Sequence, residues 1–282
     1  MKTGFYYRCA ALLGAALGLA SCQDKGQPAA SSATQPTPAG ASAETKVSAS
    51  SSAADTLAVA DSLGHRVGVL RLRPSTQAAF AKLPPGPLPA RPSDSENQSK
   101  VTDAPLPPGG QVQRRGNLLV LHPAQGPAVT LTPVPSPDGP AGNDNAYYYW
   151  GSLPQAHQWV VDVATDEGPA VLLVDQRTGR RTSLLGAPSL SPDGRYLLSV
   201  CEDVTSGSTP TNLSLYQCGG GAPQLVWSRD PQRWGPRAAR WRDARHAVLQ
   251  QAHPDADPNA EVATAAGRVP LTYAELELPA QP

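Results

Sequence analysis

Six arginines and three tryptophans share the stretch "WSRDPQRWGPRAARWRDARH", Trp227 to His246. A guanidinium over an indole face forms a cation–π pair, and the combination suits anionic, sugar or protein ligands. Trp234, Arg237, Arg240 and Trp241 are the candidates for such a binding surface. The competing arrangement puts the indoles in a core with the arginine stems lying over them. Farther on, "DADPNAE" sets Asp255, Asp257, Asn259 and Glu261 at alternate positions, oxygen donors of the kind that wrap Ca²⁺. Pro258 interrupts that run and Ala260 stands where a calcium loop turns on glycine, so the pattern is a weak metal signal. Asp166-Glu167 and Glu202-Asp203 are adjacent carboxylates; a strand sends neighbours to opposite faces, so neither doublet forms an acid/base pair by itself. His65, His122, His157, His246 and His253 lack metal-ligand spacing. There is no nucleophile elbow, zinc-protease helix or phosphate loop. The sequence assigns no catalytic residue and no cofactor, although a site built from loops of different sheets leaves no such signature.

The N-terminus carries an address. Lys2 and Arg8 precede the apolar run "CAALLGAALGLA", which is shorter than the ~20 residues that span a bilayer. It ends in Leu19-Ala20-Ser21-Cys22, which resembles a bacterial lipobox. That resemblance implies a signal peptide over 1–21 and a diacylglycerol on Cys22, the first residue of the mature chain. Several acyl chains anchor stably where one is marginal. Gln23, rather than Asp, follows the cysteine. By similarity to the proteobacterial sorting pattern this points to the outer membrane, with the body facing the periplasm or the surface.

With Cys9 removed and Cys22 lipidated, Cys201 and Cys218 remain. They end "RYLLSV" and follow "NLSLYQ", so simple antiparallel pairing does not set them opposite each other, and a bridge requires a bulge or another pairing. An oxidising compartment favours a disulfide, worth roughly 3 kcal/mol for a loop of this size. The alternative is two separate buried thiols.

The elements that must position these residues are unevenly spread. The formal net charge is zero, so no global field draws the chain to nucleic acid. Residues 22–54, rich in Ala, Ser, Thr and Pro without an apolar period, read as a disordered tether. Residues 55–74 read as a β-hairpin, "TLAVA" and "RVGVLRLR" about Ser62-Leu63-Gly64-His65, which must pair with a larger body to be stable. Residues 75–116 are rich in Pro and Gly and read as a linker. From 117 to 282 short strands alternate with turn signals: "NLLVLH", "AVTLTP", "AYYYWG", "QWVVDV", "AVLLVD", "RTSLLG", "RYLLSV", "NLSLYQ", "QLVWSR", "HAVLQQ" and a last one within 262–278. In the third of these, Tyr147, Tyr148, Tyr149 and Trp150 are expected to face alternately inward and outward.

Ser191-Pro192-Asp193-Gly194-Arg195-Tyr196 resembles the Ser-Pro-Asp-Gly turn of WD40-like (TolB-type) β-propeller repeats, and "LLVDQRTG" stands where that family has the preceding hairpin. Pro presets φ, Asp bonds back to the backbone and Gly takes the positive-φ corner. Two weaker copies align with it: Asp243-Ala244-Arg245-His246 under Asp193-Gly194-Arg195-Tyr196, and Pro154-Gln155-Ala156-His157 under Pro192-Asp193-Gly194-Arg195. The expected fold is all-β, a small or incomplete propeller-like arrangement of four-stranded meanders, with an open β-sandwich as the alternative. The expected function is non-catalytic: a lipid-anchored cell-envelope protein that binds a protein or cell-wall partner, attached to the membrane through its lipid. The alternative is an envelope glycan hydrolase or lyase with a loop-built site.

Overall fold

Runs such as "QWVVDV" and "RYLLSV" are apolar at nearly every position, where a strand with one wet face would alternate. The computed structural model of the chain supplies the reason: these strands have a core on each side. It describes residues 55–92, 101–135, 144–165, 170–202, 211–231, 233–253 and 271–278. Cys22 and the stretches read as signal peptide and tether lie outside these residues, as do Asp166-Glu167, Asp203 and the Asp255, Asp257, Asn259 candidates.

The chain is all-β, and every strand pair among the described residues is antiparallel. It begins with a hairpin, β1 (Asp55–Ala60) and β2 (Arg66–Pro74), followed by a short helix, α1 (Gln77–Lys82). A three-stranded sheet joins β3 (Val112–Arg115), β4 (Leu118–Leu121) and β5 (Val129–Leu131). A five-stranded meander joins β6 (Val134–Pro135), β7 (Asp144–Leu153), β8 (Gln158–Ala164), β9 (Ala170–Asp175) and β10 (Arg181–Leu184). A four-stranded meander follows: β11 (Ala187–Leu190), β12 (Tyr196–Cys201), β13 (Asn212–Gln217) and β14 (Gln224–Arg229). The last is β15 (Gly235–Trp241), β16 (His246–Ala252) and β17 (Leu271–Glu277). The hairpin fills the place between these two meanders, β1 pairing with β14 and β2 with β17, so that one nine-stranded sheet runs β11-β12-β13-β14-β1-β2-β17-β16-β15.

Strand alternation distributes side chains between three stacked cores. In β8, Trp159 and Val161 pack with Leu119 and Leu131 of the small sheet, while Val160 faces the opposite core with Leu197 of β12. In β9, Leu172 and Val174 take the first face, Val171 and Leu173 the second. Tyr196, Leu198 and Val200 of β12 face the third core, which is lined from across the nine-stranded sheet by Leu57, Leu72, Leu213, Trp227, Leu249 and Leu276 among others. Burying each such side chain contributes about 1.5–3 kcal/mol. A bulge in β7 between Tyr149 and Gly151 resets the alternation, so Trp150 and Leu153 share one core while Tyr149 fills another.

The nine-stranded sheet curls until its edges meet. Ser189 Oγ of β11 donates to the carbonyl of Ala239 in β15 at 2.9 Å, and Trp241 Nε1 donates back to the Ser189 carbonyl at 2.9 Å. The two edge strands are thus tied through side chains and the sheet is nearly closed.

The stretch read as a linker contains structure. Thr76 caps α1 by accepting from Ala79 N at 3.1 Å, and Phe80 packs on Tyr273 with ring centroids 5.5 Å apart. Arg91 is buried against Asp162, Nε to Oδ1 at 2.7 Å, and lies 5.4 Å from the Trp150 ring centre. Asp103 takes Arg114 Nε at 2.8 Å and Tyr149 N at 2.7 Å. A strand, β3, stands within the same stretch, and β11 and β15 add two strands that the pattern missed.

Candidate functional site

The turns aligned by sequence are equivalent in hydrogen bonding. Arg195 O accepts from Cys218 N, His157 O from Gln176 N and Arg245 O from Leu278 N, each at 2.8 Å. In all three the donor follows the strand that pairs with the one the turn launches. At the strongest copy, Ser191 Oγ donates to Asp193 Oδ1 at 2.7 Å and accepts from Tyr196 N at 2.9 Å, and Gly194 has φ 72°. Burial pushes the Asp193 carboxyl up, but the Ser191 hydroxyl and Arg195 outweigh it and hold it below its ordinary value. At the third copy, Asp243 Oδ1 accepts from Arg245 N at 2.8 Å and His246 N at 2.9 Å. These carboxylates are occupied in closing turns. In "LLVDQRTG", Asp175 Oδ1 likewise accepts from Thr178 N at 2.7 Å, Thr178 Oγ1 at 2.8 Å and Arg177 N at 3.1 Å.

The arginine–tryptophan stretch needs correction. Trp234 and Trp241 are buried in the third core, 5 % and 4 % exposed, and form no exposed face with Arg237 and Arg240. Arg240 lies over Phe80, 4.5 Å from the ring centre, and its Nη1 donates to the Phe80 and Leu83 carbonyls at 3.3 and 3.2 Å, closing the C-terminal end of α1. Arg237 reaches toward Glu202 at 3.8 Å. Stacking does occur, but on the helix rather than on the neighbouring indoles.

The bridge expected between Cys201 and Cys218 is not formed. Cys201 pairs with Asn212 at one end of the β12–β13 ladder, and Cys218 follows Gln217, which pairs with Tyr196 at the other. At ~3.3 Å per residue the two lie roughly 20 Å apart, against ~6 Å between the Cα atoms of a disulfide. Burial pushes the Cys218 thiol up to about 11, which removes thiolate character at neutral pH.

What the sequence missed is a polar mouth at one end of the closed sheet. Inward positions of β16 and β17 are apolar along most of their length, with Ala247, Leu249, Ala274 and Leu276 in the core. The next inward positions are Gln251 and Thr272, paired in register, followed by His253. The Thr272 hydroxyl donates to Gln251 Oε1 at 3.2 Å, and His253 Nε2 lies 2.6 Å from Thr272 Oγ1. Gln251 is 7 % exposed, and its carbonyl oxygen is the acceptor for Thr272. These side chains open into a cavity of about 590 Å³ that Leu72, Arg73, Thr76, Trp234 and Ala274 also line. That volume suits a small ligand or the tip of a larger one. The visible signal was the doublet "QQ" ending "HAVLQQ"; which of the two faced inward was not readable without the pairing.

Compared with family models, curated proteins and solved structures, the chain finds no match.

Proposed function

We propose that the chain is a lipid-anchored cell-envelope protein, moored through Cys22, whose propeller-like β body binds a protein or cell-wall partner without catalysis. The observation that carries the binding is the mouth: Gln251, Thr272 and His253, joined by hydrogen bonds, line a cavity of about 590 Å³. The groups lining the mouth donate and accept hydrogen bonds, and Arg73 adds a guanidinium. This supports recognition through hydrogen bonds. The lipobox resemblance supports the anchor.

Crosslinked pull-down of the acylated protein from intact envelope tests the reading. One stoichiometric partner, or enriched cell-wall glycan, recovered with the native chain and lost with Gln251→Leu, supports it. Recovery unchanged by Gln251→Leu removes the mouth from the function, and a Cys22 that takes up no fatty-acid label removes the anchor.

A further inference from the structure

We propose that the outer face of the β1–β2 hairpin, with the adjoining part of β14, rests on an anionic lipid surface. Eight large apolar side chains are exposed among the described residues, and four of them lie here: Leu63, Val67, Val69 and Val226. Leu63, at the hairpin turn, is 77 % exposed. Leu57, Val59, Leu70, Leu72 and Trp227 point into the third core, so the intervening residues of the same strands point away from it. Ala60 pairs with Ser228, and the antiparallel direction carries Val226 alongside the hairpin turn.

The charge on this face is basic. Arg66 and Arg71 are exposed and make no ion pair among the described residues, while Arg73 meets Glu277 at 3.2 Å. The acid in the turn, Asp61, is engaged locally, its Oδ1 accepting from Leu63 N and His65 N at 2.9 Å and its Oδ2 lying 3.4 Å from His65 Nδ1. An apolar tip flanked by arginines matches an interface of acyl chain and anionic headgroup, where each basic residue adds attraction. The lipid is preferred over a second copy of the chain because a second copy would set this basic face against its own like charge, whereas anionic headgroups neutralise it. The proposal deepens the anchored reading above and rests on it.

The test uses the acylated protein carrying Leu63→Cys, labelled with an environment-sensitive dye and mixed with phosphatidylglycerol vesicles whose chains are brominated. Cys201 and Cys218 are buried, so labelling is selective. Leu185→Cys, at an exposed position outside the hairpin, is the control. The expected result is quenching at position 63 and not at 185, falling about fivefold for each of Arg66→Gln and Arg71→Gln. High salt weakens it as well. Equal quenching at both positions, or none at 63, overturns the proposal. So does energy transfer between labelled copies without quenching, which would make a second copy the occupant. The mass at Cys22 is read on the same sample. A chain without acyl groups sinks the anchor, yet its position 63 is still quenched if the face itself binds lipid.

Discussion

The stacked meanders and the N-proximal hairpin are built from similar strands and bury them differently. β8, β9 and β12 lie between two cores, and their burial is nearly continuous from end to end. β2 has one buried face, carrying Leu70 and Leu72, and one that shows Val67, Val69 and Arg71 to solvent. Continuous burial leaves a strand no surface with which to recognise anything. The hairpin has such a surface. The difference separates the part of the molecule that sets its stability from the part available for contact.

Substitutions should expose that difference, the largest first. Leu198→Ala, in a strand buried on both sides, is expected to cost about 3–4 kcal/mol in urea unfolding, and Val69→Ala under about 1 kcal/mol. Equal costs would erase the distinction. Arg91→Met removes the guanidinium that bonds the Asp162 carboxylate and the Ala170 carbonyl and is expected to cost about 1–3 kcal/mol, measured the same way. Two of the positive-φ turn glycines, Gly194 and Gly64, sharpen the contrast. A Cβ on Gly194 would come within 2.7 Å of Gln155 Cβ, whereas one on Gly64 meets nothing within 4 Å. Gly194→Ala is therefore expected to cost about 2–3 kcal/mol and Gly64→Ala about 1 kcal/mol.

Acid stability separates the regions further. Burial raises the Asp175 carboxyl, but the hydroxyl and N–H of Thr178 and the N–H of Arg177 outweigh it and bring it below the ordinary 3.8. A depressed folded value means the group stabilises the fold above that pH and loses this contribution as pH falls through the lower, folded value. Asp175→Asn is expected to flatten the acid limb of a stability-versus-pH curve below pH ~4, the range set by the ordinary aspartate value. An unchanged acid limb would show that the turn is held by other groups. The smallest effect is expected for Val69→Thr, within about 0.5 kcal/mol in stability. A larger loss would mean that this face packs against part of the chain.

Much of the fold was legible. "QWVVDV", "AVLLVD", "RYLLSV" and "NLSLYQ" became β8, β9, β12 and β13, and the offsets that aligned His157 and Arg245 with Arg195 picked out three equivalent carbonyls. β11 and β15 were missed because "APSL" and "GPRAARW" carry Pro, Gly and Arg where a strand signal wants β-branched residues. α1 was missed because six residues hold too few turns to show a 3.6-residue period. The site was the least legible part. Arg and Trp in alternation describe a binding face and a core edge equally well, and only pairing shows that Trp234 and Trp241 face inward. The same holds for Gln251, whose interest arises from sitting at an inward position just past Leu249.

Insertion of the hairpin between β14 and β17 is the feature that nearly closes the large sheet and presents the face proposed to meet lipid. Native-state hydrogen exchange measures it directly. Amides of β1 and β2 are expected to exchange together with those of β13, in one slow class set by global unfolding. Fast exchange of the hairpin while β12 and β13 stay protected would contradict that insertion.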